Sequence, residues 1–191
     1  MRVIGGALKG RRLDAPSGTA TRPTADRVRE ALFSRLQSLA GDLTGLSVLD
    51  AYAGSGALGI EAISRGAGHA TFVDSSRRAC DTVRKNVRSV GLQDRTNVIC
   101  ADIRSMAKRS LPGEPFGLLF LDPPYRIRKS EVRGVVQTLQ ERGALAEGGL
   151  VVWEHAADTG PEWPEGFEDL GPRTYGSTHV SIARAPDFRE A

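Results

Sequence analysis

Two short stretches of this 191-residue chain gather most of the residue types able to hold a ligand or move a proton. The first is Asp50-Ala51-Tyr52-Ala53-Gly54-Ser55-Gly56-Ala57-Leu58-Gly59, in which Gly54, Gly56 and Gly59 make a G-x-G-x-x-G directly after the apolar Ser47-Val48-Leu49. Glycines at this spacing let a backbone approach a nucleoside cofactor closely and turn at once into a helix. Asp74, 24 residues after Asp50, ends the next apolar run, where it would accept hydrogen bonds from ribose hydroxyls. The loop suits either of two cofactors: the dinucleotide of an oxidoreductase, or a cationic nucleoside. A pyrophosphate at the helix N-terminus is disfavoured by a nearby carboxylate, whereas Asp50, four residues before the first glycine, suits an ammonium or a sulfonium. The second stretch is Asp122-Pro123-Pro124-Tyr125, after the apolar residues 118–121. It joins a carboxylate to a backbone stiffened by consecutive prolines and ends in an aromatic face. His69, His155 and His179 are scattered without ligand-like spacing, so no metal is expected.

The form Asp50-x-x-x-Gly54-x-Gly56 resembles the first motif of class I S-adenosylmethionine (AdoMet) methyltransferases more than a dinucleotide fingerprint. That resemblance implies a cofactor site made of Asp50, Ala53, Gly54, Ser55, Gly56 and Asp74. It adds Asp102, with Ile103 beside it, at the point where the class contacts the adenine amino group. Asp122-Pro123-Pro124-Tyr125 likewise looks like the (Asp/Asn)-Pro-Pro-aromatic motif of methyltransferases acting on exocyclic amines of bases. The chemistry accounts for the residue types. An amino lone pair delocalised into a base ring is a poor nucleophile, and two acceptors on its N–H bonds favour a more tetrahedral nitrogen. The Asp122 carboxylate supplies one acceptor and the Pro123 carbonyl the other, while Tyr125 offers a face for a base that has left its stack. What remains is orientation of the nitrogen toward the methyl group.

These loops need a frame. Apolar runs at 47–49, 70–73, 97–100, 118–121 and 150–153 alternate with helical candidates near 57–65, 76–90, 103–109 and 130–143, the pattern of a parallel sheet covered on both faces. Strands near 167–170 and 179–184 follow without a helix between them, so the sheet is expected to finish in an antiparallel hairpin. Ahead of it, residues 1–20 read as a short hairpin turning near Gly5-Gly6 and ended by Pro16 and Gly18. Pro23 holds a bend over 21–24, Thr24 is a candidate N-cap, and a helix is predicted over 25–40. Its apolar stripe is Val28, Leu32, Leu36 and Leu39, with Arg27, Arg29 and Glu30 outside it. The expected fold is thus α/β, of the class I methyltransferase (Rossmann-like) kind, with a mostly parallel central sheet and a small N-terminal hairpin and helix extension. Two regions are expected: 1–40, a basic extension for RNA recognition, and 41–191, the methyltransferase domain.

Charge is unevenly spread. Residues 1–35 carry eight basic side chains against three acidic ones, in a chain of net charge +3, which marks a polyanion footprint. Arg11, Arg12 and Arg22 are the expected phosphate contacts, with Arg27 and Arg29 as further candidates on a helix that also packs. Cys80 and Cys100 read as free thiols, no apolar run approaches membrane-spanning length, and no export signal is seen. A cytoplasmic monomer without metal is expected.

Across nearly its whole length the chain is similar to the RsmD family, bacterial 16S ribosomal RNA guanine-N2 methyltransferases. The residues that carry the similarity are Arg2-Val3-Ile4-Gly5-Gly6, Lys9-Gly10-Arg11-Arg12-Leu13, Arg22-Pro23-Thr24-Ala25-Asp26-Arg27, Gly54-Ser55-Gly56-Ala57-Leu58-Gly59 and Asp122-Pro123-Pro124-Tyr125. At Asp50-Ala51-Tyr52-Ala53 the family has Leu-Phe between Asp and Ala; Tyr52 keeps an aromatic there. The resemblance implies AdoMet as donor, S-adenosylhomocysteine as product, and a guanine of 16S rRNA in the assembled or assembling small subunit as acceptor. An adenine-N6 or other base-amino methyltransferase and a non-catalytic RNA-binding assembly factor are the competing readings.

Overall fold

The computed structural model describes residues 1–15, 23–124, 126–156, 160–176 and 178–187, and the side chains from residue 26 onward in the first helix. Pro16, Gly18, Thr21, Arg22 and Tyr125 lie outside the described residues, as does the Thr24 side chain.

Five parallel strands form the body of the sheet: β1 (Ser47–Ala51), β2 (His69–Asp74), β3 (Thr96–Cys100), β4 (Phe116–Leu121) and β5 (Leu145–His155). β6 (Glu168–Tyr175) and β7 (Thr178–Arg184) close it as the expected antiparallel hairpin, β7 pairing with β5. The order is β3-β2-β1-β4-β5-β7-β6, so the chain reverses its direction of travel between β1 and β4. The helices are α1 (Pro23–Ala40), α2 (Ala57–Ser64), α3 (Arg77–Ser89), α4 (Ile103–Met106) and α5 (Lys129–Glu141). Side chains alternate along each strand between two cores. On β4, Leu118 and Phe120 join α1, α2 and α3, while Leu119 and Leu121 join α4 and α5. A strand buried on both faces reads as an unbroken apolar run, which is why these strands stand out in the sequence.

β5 begins five residues before the predicted run because it crosses Gly148-Gly149 through a register shift against β4. α1 starts at Pro23, so Thr24 lies within its first turn and is not a cap; proline suits that turn, where its missing N–H has no helical partner. The buried face of α1 is Arg29, Leu32, Phe33 and Leu36, and the placement of Arg29 outside the stripe is corrected accordingly. No helix among the described residues is long and apolar enough to cross a membrane.

The N-terminal segment doubles back as expected, but its ladder is short. A single Arg2–Arg12 bridge closes it, and a 3-10 turn at Gly6–Leu8 fills its tip. Gly5 and Gly6 serve close approach as well as the turn. At Gly6, with φ +73°, a Cβ would lie 1.7 Å from the Ser64 carbonyl oxygen. The segment is fastened to α2 by the fully buried Glu61, which accepts from Ile4 N at 2.8 Å, Gly5 N at 2.7 Å and Arg65 Nε at 2.8 Å. Ser64 Oγ accepts from Leu8 N at 2.9 Å. Asn86, buried on α3, accepts from Asp14 N at 2.7 Å and donates to the Asp14 and Ser55 carbonyls at 2.9 Å each. Val3 and Leu13 thereby enter the same core as Phe72 and Phe120.

Candidate active site

β1 and β4 are hydrogen-bonded neighbours, and both chemical loops leave from their carboxyl ends. Ligands of open α/β sheets bind at such a reversal of strand order. The loops open on one cavity of about 920 Å³, lined among others by Tyr52, Gly54, Asp74, Asp122, Pro123 and Glu154. Its volume is within the range of about 300–1,000 Å³ usual for small-molecule sites. A second recess, about 430 Å³, lies between the N-terminal segment and α1 around Arg2, Lys9 and Arg27. It holds neither the glycine loop nor the proline loop, and Asp26 and Glu30 lie among its basic residues.

The glycine loop is preorganised by its acids. Asp74 accepts from Gly54 N at 3.0 Å and from Ser76 N at 2.8 Å, one bond to each carboxylate oxygen. Each oxygen keeps lone-pair capacity for a ribose hydroxyl. Gly54 takes φ +55°, and a Cβ built there meets nothing within 4 Å, so its backbone faces open cavity. Gly59 has the opposite surroundings: a Cβ would lie 2.4 Å from the Phe72 ring, so glycine lets α2 sit against β2. Asp50 is buried beneath the loop and accepts from Gly59 N at 3.0 Å. Burial, reinforced by the charges of Asp122 and Asp74, raises its carboxyl to about 7 despite that bond. A cationic ligand over these acids relieves the strain of gathering them.

Asp122 is open to the cavity yet walled by protein on its other sides, and burial pushes it up to about 6. Beside it, Glu154 at the end of β5 is raised to about 7 by burial and then by the charge of Asp122. Tyr52 has φ +112°, a strained conformation for a residue with a side chain. Its hydroxyl is buried without a hydrogen-bond partner, and burial, with the Asp102 charge adding, raises it to about 12. Such an orphaned group on a cavity wall fits a polar ligand that completes it. Together with the Gly54 cradle and the Asp74 acceptors, it makes this a site that AdoMet fits.

The other expected site residues are placed less directly. Ala53 and Ser55 are buried behind the loop, and a Cβ on Gly56 would press on Phe72 and Val83 at 3.2 Å. These residues shape the loop from behind rather than face the cavity. Ile103 is in the apolar core. Asp102 caps α4 through Arg104 N at 2.9 Å and pairs with the Arg104 guanidinium at 2.5 Å, which lowers its carboxyl. An adenine amino group would share Asp102 with that guanidinium.

The histidines are less scattered than their spacing implies. His155 and His179 are register partners on β5 and β7, with ring centroids 6.2 Å apart on the cavity wall. Among the arginines, Arg12 is exposed, while Arg11 is exposed and donates to the Ser89 carbonyl at 2.8 Å. Arg29 is withdrawn from the candidate RNA contacts: it is buried and donates to the Arg2 carbonyl at 2.6 Å and Asp26 at 2.9 Å. Sequence reasoning missed Arg126 and Lys129, cations at the cavity mouth just after the proline loop. Their nearness to Tyr125 in the chain was the available signal. Glu154 was missed as well, since one acid closing an apolar strand carries no motif.

Residues 1–184 match the protein family described as "Conserved hypothetical protein 95". The chain is 40% identical over 189 residues to a Bacillus subtilis protein named "Putative rRNA methyltransferase YlbH", covering 95% of this chain and 97% of that one. It is 34% identical over 160 residues to the Escherichia coli "Ribosomal RNA small subunit methyltransferase D", covering 84% and 77%. Among solved structures, "Putative methyltransferase yhhF from Escherichia coli" superposes with a TM-score of 0.82 at 29% identity, over 97% of this chain and 98% of that one. The α/β sheet with its antiparallel C-terminal strands matches class I methyltransferase structures.

Proposed function

Because the chain belongs to the RsmD family of methyltransferases, described as conserved hypothetical protein 95, we propose that it uses AdoMet to methylate the exocyclic N2 amino group of one guanine in 16S ribosomal RNA, in the assembled or assembling small subunit. The observation that carries the proposal is the opening of the Gly54 loop and the Asp122-Pro123-Pro124 loop onto one cavity from adjacent strands. AdoMet supplies a methyl group activated by its sulfonium. The chain supplies position and acceptors. Gly54 and Asp74 hold the nucleoside portion, and Asp50 and Asp74 favour its positive charge. Asp122 accepts one N–H of the target amine and the Pro123 carbonyl the other, turning the nitrogen lone pair toward the methyl group. Asp122 is also the base beside the nitrogen as it sheds a proton. Tyr125, by its place in the motif, is assigned to stacking on the base.

Guanine is favoured because N1–H and the N2 amino group present only donors to the acid-lined wall, whereas adenine presents an acceptor at N1. The test is to incubate the protein and AdoMet with unmodified small subunits, naked rRNA and duplex DNA, then identify the methylated nucleoside by mass spectrometry. N2-methylguanosine from small subunits is the expected product. N6-methyladenosine, or methylation of DNA alone, would overturn the assignment.

Residues 1–40 are proposed as the RNA-recognition region, with Arg11, Arg12 and Arg22 on phosphates. Each phosphate contact adds about 0.7–0.9 to the slope of log affinity against log salt. Replacing Arg11 and Arg12 together by alanine is expected to reduce that slope by about 1.5 and to weaken binding at low salt. An unchanged slope in a filter-binding titration would place the phosphate contacts elsewhere.

A further inference from the structure

The end of β5 carries a carboxylate with no role in the mechanism above. β4 and β5 run parallel, with Phe120 opposite Val152 and Leu121 opposite Trp153. Asp122 leaves β4 immediately after that last pair and Glu154 follows the pair on β5; both lie on the cavity wall, where the charge of Asp122 acts on Glu154. We propose that Glu154 is the residue that selects the base: it accepts the N1–H of guanine while Asp122 accepts from the N2 amino group. The proposal rests on the amino-methyltransferase reading above and names the feature that makes guanine its substrate.

Three observations carry it. Among the described residues the Glu154 carboxylate has no hydrogen-bond or ion-pair partner, and the only charge acting on it is that of Asp122. Arg126 and Lys129 at the cavity mouth form no ion pair with it, and its nearer polar neighbours are engaged elsewhere. His155 joins the Ala156 carbonyl at 2.8 Å and Ser181 Oγ at 2.9 Å, His179 joins Thr174 Oγ1 at 3.1 Å, and Arg128 pairs with Glu131 at 3.2 Å. A half-buried carboxylate without donors is costly, so the geometry leaves Glu154 for an occupant of the cavity. Finally, two neighbouring carboxylates on one wall repel each other, and the charge of Asp122 adds to burial in raising Glu154. A ligand edge with donors at both positions relieves both. The guanine edge does so, with N1–H and N2–H side by side. The adenine edge places an acceptor against the second carboxylate, lone pair against lone pair. A site whose polar groups are left unpaired by the wrong base discriminates far more strongly than an apolar pocket does.

The decisive substrate is 2-aminopurine, which keeps the 2-amino group but carries an acceptor at N1. Small subunits are assembled with rRNA bearing guanine or 2-aminopurine at the methylated position, and kcat/KM is measured for both. Wild-type protein is expected to prefer guanine by about a hundredfold or more. Glu154→Gln, whose amide can donate to N1, is expected to shrink that ratio at least tenfold, with AdoMet affinity by calorimetry within about twofold of wild type. Glu154→Asp, which keeps the charge but withdraws the acceptor, should lower guanine use without raising 2-aminopurine use. If Glu154→Gln slows both substrates equally, or if the variants lose AdoMet affinity while the base ratio holds, Glu154 does not read the base. Those results leave the guanine assignment standing. Failure of the wild-type protein to methylate guanine in any small subunit removes that assignment and this role together.

Discussion

Asp122→Ala lowers methyl transfer by about two to four orders of magnitude while AdoMet binding stays within a few-fold, as read by single-turnover transfer and by calorimetry. The separation follows from where the residue sits. Asp122 contacts neither the Gly54 backbone nor Asp74, whose bonds at 3.0 and 2.8 Å shape the loop without it. Removing its carboxylate deletes the acceptor that orients the amine, an interaction that counts at the transition state more than in the resting complex. The wild-type pH profile carries the same signature. With Asp122 raised to about 6 by burial, the ionised acceptor is present above that pH, and the rate falls as pH drops through about 6. Asp122→Asn, which has no carboxylate to protonate, loses the step near 6 at a lower plateau and keeps any step set by Glu154, raised to about 7. Turnover of Asp122→Ala within threefold of wild type would remove Asp122 from the mechanism.

Glu61→Ala is expected to destabilise the fold by about 3–5 kcal/mol, the usual cost of removing one partner from a buried ion pair. Glu61 is fully buried and accepts from two backbone amides as well as from Arg65, with Arg29 Nε 3.7 Å away. Alanine leaves the Ile4 and Gly5 N–H groups without acceptors. It also leaves Arg29 and Arg65, each with only 7% of its side chain exposed, to Asp26 and Glu30. For a chain of this size each kcal/mol is worth about 2–4 °C of melting temperature, so the transition should fall by roughly 6–20 °C. Urea unfolding gives the free energy directly, and amide exchange locates the damage at residues 1–14. A loss below 1 kcal/mol would show that the N-terminal segment is held by Val3 and Leu13 rather than by Glu61.

The parts of this structure that were legible in its sequence are those written in local spacing. The glycine loop, the proline loop and the apolar runs of β1 to β4 each occupy a few consecutive residues whose types dictate their conformation. Arg29 was misplaced because a basic side chain on an amphipathic helix reads as surface. Its buried partners, Glu61 and the Arg2 carbonyl, come from distant parts of the chain. Glu154 was invisible for a related reason. Its meaning comes from the register between β4 and β5, and register across a crossover connection is not encoded in either strand alone. Asp102 shows the converse: motif order marks it, but the Arg104 guanidinium two residues later holds its carboxylate.

The docking of the N-terminal segment also has a consequence for how the chain acquires its shape during synthesis. The amides of Ile4 and Gly5 find Glu61 across 57 and 56 residues, and Asp14 finds Asn86 across 72. Residues made before their partners must therefore wait for them. At ribosomal elongation rates of about 5–20 residues per second, Val3 and Leu13 stay out of the core for several seconds, until α3 has emerged. Their burial then closes a long loop, a contact of high sequence separation that is slow to form. The basic segment is thus a late-fitted part, seated only after the glycine loop and the two helices beneath it exist.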